Sequence, residues 1–187
     1  MPAMDRIDAD AIQASIGRPS AFLAIFERHY EVIARYLRRR LDPVLADELA
    51  AEVFDVAFSR REAYDPSQPD ARPWLYGIAA SLLRSHVRAE ERELRELART
   101  CIDPLRSSRA AMRPATEPEL ARALAELAPD DREVLLLHAW GELRDDEIAD
   151  ALGLPLDAVR SRLDRARRSI REALDRAAAP AEEASHG

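Results

Sequence analysis

The chain has 187 residues, 28 basic against 35 acidic, and a formal net charge of −7. No apolar run approaches the roughly 20 residues that span a bilayer, and no signal-peptide-like apolar segment is present. Membrane insertion and export are therefore not expected, and the cytoplasm is the expected compartment. A single cysteine, Cys101, excludes an intramolecular disulfide framework and any multi-cysteine zinc site. With only five glycines, no Gly-rich phosphate loop exists. Ala, Leu, Arg and Glu dominate, which are strong helix formers, so the expected fold class is all-α. All 28 basic residues are arginine.

Taken in chain order, residues 1–18 show no durable period and end in Gly17-Arg18-Pro19, a loose or weakly helical lead-in. A helix is expected from Ser20, as N-cap, to about Leu41. Its inward positions are Phe22, Ile25, Phe26, Ile33, Tyr36 and Leu37, spaced by threes and fours. Asp42-Pro43 is a cap followed by a proline suited to the first helical position. The next helix runs to about Arg60 with Leu45, Leu49, Val53, Val56 and Ala57 inward. Tyr64 to Arg72 is turn-rich. A third helix starts near Pro73, carries Trp74, Ile78, Leu82 and Leu83, and extends to about Leu97. Residues 101–118, with three prolines and no period, form a linker. Four more helices are expected at 119–127, 130–140, 145–152 and 156–174, with Asp130 as an N-cap and Gly153 at a left-handed C-terminal position. The expected organisation is a lead-in over 1–19 and two small helical domains, 20–98 and 118–176. A flexible linker over 99–117 joins the domains, and a frayed tail covers 177–187.

Charge is segregated in the second domain. Residues 117–152 hold 11 acids and 3 arginines; residues 154–176 hold 7 arginines and 4 acids. The last helix keeps an apolar stripe of Val159, Leu163, Ala166, Ile170 and Leu174 and carries arginines on its other faces. It follows a short helix and the turn Gly153-Leu154-Pro155. This is the helix-turn-helix pattern, whose second helix can offer arginine to guanine edges and phosphates in a major groove. The same pattern fits an ordinary helical hairpin whose arginines are solvated or paired with nearby acids.

Longer motifs go further. Leu127-Ala128-Pro129-Asp130-Asp131-Arg132-Glu133-Val134-Leu135-Leu136-Leu137, then Gly141-Glu142-Leu143, Glu147-Ile148-Ala149, Leu152-Gly153-Leu154-Pro155 and Ala158 to Arg167, resemble region 4 of bacterial sigma factors. The best match is the short extracytoplasmic-function (ECF) group of the sigma-70 family. In the first domain, Ala46 to Phe54 resembles region 2.2, and Arg72-Pro73-Trp74-Leu75-Tyr76-Gly77-Ile78-Ala79 resembles the start of the −10 recognition helix. Two motif sets in the right order are far more specific than either alone.

The resemblance implies a sigma factor that binds core RNA polymerase, recognises the −10 and −35 elements of promoter DNA and directs melting and initiation. It implies no catalytic residue and no cofactor. An anti-sigma factor is the implied restraining partner. Glu48, Glu52, Val53 and Phe54 match the polymerase-clamp helix. Trp74, Ser81, Arg84 and Arg88, with the loop 64–72, match the −10 site, although Trp74 at helical spacing with Ile78 also fits a core position. Arg160, Ser161, Arg162, Asp164 and Arg165 match the −35-facing positions, and Arg168 adds a phosphate contact. Departures fall at Gly77 and Ala80, where the family often has Arg, at Ser81 (often Asn), Ser85 (often Asp), His138 (often Arg) and Arg144 (usually Ser), so the promoter sequence cannot be copied from relatives. Of the competing readings, a stand-alone helix-turn-helix regulator leaves residues 20–90 unexplained. A helical adaptor or anti-sigma-like protein is opposed by the missing His/Cys zinc signature. An enzyme is opposed by the dispersal of His29, His86, His138 and His186. The acidic net charge fits a subunit that borrows most of its phosphate affinity from the polymerase.

Overall fold

A computed structural model describes residues 7–100 and 118–178, which form eight α-helices and two single 3-10 turns. They are α1 (Ile7–Gly17), α2 (Leu23–Arg38), α3 (Pro43–Ser59), α4 (Arg72–Thr100), α5 (Pro118–Glu126), α6 (Pro129–Trp140), α7 (Asp145–Leu152) and α8 (Leu156–Ala178). No strand occurs among the described residues, and none of their helices is long and apolar enough to cross a membrane. The chain divides into two compact units, one holding α1–α4, the other holding α5, α6, α8 and most of α7. The expected linker lies, beyond Thr100, outside the described residues, as does Cys101. So does the tail beyond Ala178.

In the first unit α3 packs against both α2 and α4. The shared core holds Ile25, Ile33, Tyr36, Leu37, Val53, Leu75 and Leu83. Tyr36 meets Tyr76 edge-on at 5.2 Å, a favoured arrangement of ring quadrupoles. Asp42 caps α3, its side chain accepting from the Val44 N–H at 2.9 Å, with Pro43 in the first turn.

Residues 7–17, expected as part of a loose or weakly helical lead-in over 1–19, are a regular helix packed into the core. They form α1, which buries Asp8, Ala9, Ile12 and Ser15. The sequence hides this helix because half of its buried positions are polar, and each is satisfied internally. The Ser15 hydroxyl donates to the Ile12 carbonyl at 2.6 Å. Ser20 is not an N-cap. Pro19 opens a 3-10 turn over Pro19–Phe22, and no side chain caps it. Phe26, expected inward, is 38% exposed and leans on Tyr30 and Phe54 at 4.8 and 5.1 Å.

In the second unit α8 packs against α5 and α6 over Leu124, Val134, Leu137, Val159, Leu163 and Ala166. Asp130 is not the N-cap of α6; Ala128 takes that place and Pro129 the first turn, because proline's fixed φ and missing N–H suit it there. The Arg132 guanidinium donates to the carbonyls of Leu124, Ala125 and Leu127 at 2.6–2.8 Å. It thereby closes the C-terminal end of α5 with a cation. Gly153 ends α7 at φ +63°, the left-handed conformation that glycine adopts without steric cost.

Candidate nucleic-acid and polymerase interfaces

The apolar stripe of α8 sets the orientation of everything else on that helix. Val159, Leu163 and Ala166 are buried, with Ile170 and Leu174 half-buried beyond them. At 3.6 residues per turn, Arg160, Ser161, Asp164, Arg165 and Arg168 fall within an arc of about 140° on the opposite side, and all five are exposed. Arg162 is set apart. It flanks the stripe, with only 24% of its side chain exposed, and pairs with Asp130 at 3.1 Å. Arg167 flanks the other edge and donates to His138 Nε2 at 3.1 Å, while His138 Nδ1 lies 3.2 Å from the Leu143 carbonyl. A neutral imidazole protonated on Nδ1 satisfies both contacts.

Acids from α6 and α7 line this helix. Arg160 Nε lies 3.6 Å from Asp145. Arg165 makes a two-pronged pair with Asp131, Nε to Oδ2 at 3.0 Å and Nη2 to Oδ1 at 2.8 Å, and its Nη1 donates to Ser161 Oγ at 2.9 Å. Its pKa is raised further by the Asp131 hydrogen bonds and charge. Asp130, Asp131 and Asp145 all stand in the first turn of their helices, where the macrodipole favours negative charge. Asp164 and Arg168 make no ion pair or hydrogen bond among the described residues.

The start of α7 is also anchored. Arg144 cannot cap α7 as a serine would. Instead the Arg144 backbone N–H donates to the Glu147 carboxylate at 2.7 Å, which is the reciprocal half of a capping box. An open apolar groove of about 540 Å³ runs between α5, α6 and α8, bordered by Leu120, Leu135, Trp140, Ile170 and Leu174. Its sequence signal is the continuation of the α8 stripe past Ala166.

In the first unit, Trp74, Ser81, Arg84 and Arg88 lie within about 80° of arc on α4. Ser81 and Arg88 are exposed; Trp74 and Arg84 are half-buried. Trp74 packs against the Tyr64 ring at 5.0 Å, so part of its surface belongs to the core and part to solvent. The preceding loop is rigidly tied. Tyr64 Oη donates to the Gln68 carbonyl at 2.7 Å, Asp65 accepts from the Ser67 N–H at 2.9 Å, and Asp70 accepts from the Arg72 N–H at 2.9 Å. Burial pushes the Tyr64 phenol well above its ordinary range, with the charges of Asp8, Asp70 and Asp65 adding to the effect. It stays protonated and able to donate.

The α4 N-terminus is fixed from behind by α1. Asp8, buried, accepts from Arg28, from His29 Nε2 at 2.7 Å and from the Ala71 N–H at 3.0 Å. Burial alone would raise the Asp8 pKa. The hydrogen bonds from His29, Ala71 and Arg28, with the His29 charge, outweigh it and hold the carboxyl down at about 2. Asp8, His29 and Asp70 bring potential metal-ligand atoms within 4.8 Å of one another. A cation fits poorly there, because both Asp8 oxygens already accept N–H donors and the Arg28 charge lies against them.

On α3, Glu48 and Glu52 are exposed one turn apart, whereas Val53 and Phe54 are buried at 0% and 4% exposure. These two do not share a surface with the acids. Phe54 instead supports the exposed Phe26 from beneath.

Comparison with known proteins places both units in known families. Residues 25–93 match the Sigma-70 region 2 family and residues 118–170 match Sigma-70, region 4. The RNA polymerase sigma factor CnrH of Cupriavidus metallidurans is 31% identical, over 92% of this chain and 97% of that protein. The ECF RNA polymerase sigma factor SigC of Mycobacterium tuberculosis is 28% identical, over 89% of this chain and 90% of its own length. The solved structure of CnrH with the cytosolic domain of CnrY superposes with a TM-score of 0.64 at 27% identity, covering 92% of this chain and 98% of that one. The chain belongs to the sigma-70 family of RNA polymerase sigma factors, within its ECF group.

Proposed function

We propose that the two arginine-bearing faces divide promoter recognition between them. The exposed arc of α8 enters the major groove of the −35 element, with Arg160 and Arg165 at base edges, Ser161 and Asp164 beside them, and Arg168 on phosphate. Arg162, on the flank, contacts the backbone rather than bases. The face of α4 carrying Trp74, Ser81, Arg84 and Arg88, together with the loop 64–72, receives the −10 element as it opens. Extruding a base costs a few kcal/mol, and the tied loop supplies a pocket that needs no reordering at that moment. Glu48 and Glu52 face the clamp of core RNA polymerase, and Val53 and Phe54 hold that helix in place from the core side. In domain terms, residues 20–98 act as region 2, with α1 joined to it; 99–117 is the tether and 118–176 is region 4.

The observation that carries this reading is the exposed polar arc on α8, set directly opposite the buried stripe of Val159, Leu163 and Ala166. The protein works where polymerase and DNA meet, in the cytoplasm. A restraining anti-sigma factor fits the family, and the solved structure of CnrH shows it in complex with the cytosolic domain of CnrY. The test is run-off transcription by core polymerase plus chain on a genomic DNA library, with wild type beside Arg160→Ala and Arg165→Ala. Each variant is expected to lose yield and shift start sites at −35-dependent promoters. Unchanged start sites and yields in both would remove the −35 assignment.

A further inference from the structure

Arg165 differs from the other arginines of α8 in how completely it is held. Its partner Asp131 is only 13% exposed, while the Arg165 side chain is 52% exposed. The side edge of the guanidinium, Nε and Nη2, is taken up by the two Asp131 oxygens, and Nη1 donates to Ser161 Oγ. A guanidinium has five N–H donors, so three are occupied. Two remain, one on each terminal nitrogen. That is the pair an arginine uses to meet O6 and N7 of one guanine. The contacts therefore fix the torsions of a long side chain and leave one donor on each terminal nitrogen for a base. They also come from two directions, α6 and the preceding turn of α8, so the guanidinium plane is defined.

We propose that Asp131 is a positioning residue for sequence recognition: it presents Arg165 end-on to a single guanine in the −35 element, with Ser161 as the second brace. This rests on α8 being the −35 helix. A competing role for the same acid is an electrostatic mask that lowers DNA affinity regardless of sequence. The two roles give opposite results when Asp131 is neutralised. Without the brace, Arg165 samples many rotamers, and ordering it on DNA becomes an added entropic cost. Discrimination then falls at one base pair only. Without a mask, binding tightens everywhere, and no single position is affected.

The experiment uses holoenzyme assembled from the full chain and core polymerase, on a promoter library with the −35 element randomised. Bound molecules are sequenced to give a preference at each position. Four proteins are compared: wild type, Asp131→Asn, Arg165→Ala and the double variant. Arg165→Ala is expected to flatten one guanine position by about tenfold or more. Asp131→Asn, nearly isosteric, should flatten the same position by roughly three- to tenfold and leave the others alone, and the double variant should match Arg165→Ala. A merely structural defect would weaken all −35 positions together, which counts against the proposal. A uniform gain in affinity, or no change, for Asp131→Asn while Arg165→Ala flattens its position overturns the positioning role alone. No flattening by Arg165→Ala overturns the underlying assignment of Arg165 as well.

Discussion

Replacing Asp8 by asparagine removes the charge at the centre of the contact between α1, α2 and the start of α4. The wild-type carboxyl is held at about 2 from an ordinary 3.8. At 1.36 kcal/mol per pH unit this corresponds to roughly 2.5 kcal/mol of folding stability from ionised Asp8 at neutral pH. The sign follows from the direction. A depressed acid stabilises the fold above its unfolded pKa, so the contribution is complete above about pH 5 and is lost as pH falls towards 2. About half remains at pH 3. Asparagine cannot replace the carboxylate, because its amide group would face Arg28 or the Ala71 N–H with a donor where both need an acceptor. Urea unfolding, followed by Trp74 fluorescence in a Trp140→Phe background, confines the signal to the first unit. Asp8→Asn is expected to be less stable by about 2–3 kcal/mol at pH 7, with the gap to wild type shrinking by about half at pH 3. A gap that stays constant from pH 7 to pH 3 would refute the ionic origin. A gap below about 0.5 kcal/mol at pH 7 would show that α1 does not depend on Asp8.

Arg168→Ala should weaken holoenzyme binding about equally on all −35 sequences and reduce the slope of log K against log salt by about one; a change confined to one base position would make it a base contact instead. Glu48→Lys with Glu52→Lys should weaken association with core polymerase while leaving the circular dichroism melt unchanged, since both side chains are exposed; unaltered association in a pull-down would move the interface elsewhere. Leu163→Ala, at 1% exposure in the region 4 core, should cost about 2–5 kcal/mol and abolish −35 dependence, as read by denaturant unfolding at Trp140. Glu142 has φ +54°, a conformation costly for a residue with a Cβ, so Glu142→Gly should stabilise the second unit by about 0.5–1 kcal/mol; the same unfolding measurement checks the sign.

The parts of the fold that were legible in the sequence are those governed by local chemistry. Asp42-Pro43 marked the start of α3, Pro73 that of α4, and Gly153 the end of α7. The apolar stripe of α8 told its inner face from its outer one. What failed had competing local or long-range causes. Pro19 and Pro129 displaced Ser20 and Asp130 from the N-cap positions. The α1 helix gave no apolar rhythm because Asp8 and Ser15 are buried through hydrogen bonds rather than hydrophobicity. Phe54 sat in a family motif next to exposed acids, yet helix geometry turns it to the core beside Val53, which the spacing had already placed inward. The pairing of Asp131 with Arg165 spans 34 positions, and no periodicity could have signalled it. That pairing joins the two readings the sequence left open, since Arg160 and Arg165 are both paired with acids and presented to solvent.

The central claim is that this chain lends polymerase its choice of start point. Sequencing the 5′ ends of transcripts made on genomic DNA by core polymerase, with and without the chain, tests it most directly. The account predicts a discrete set of new start sites, preceded by shared −35 and −10 sequences, appearing only when the chain is added. The same diffuse pattern of starts in both reactions would contradict it.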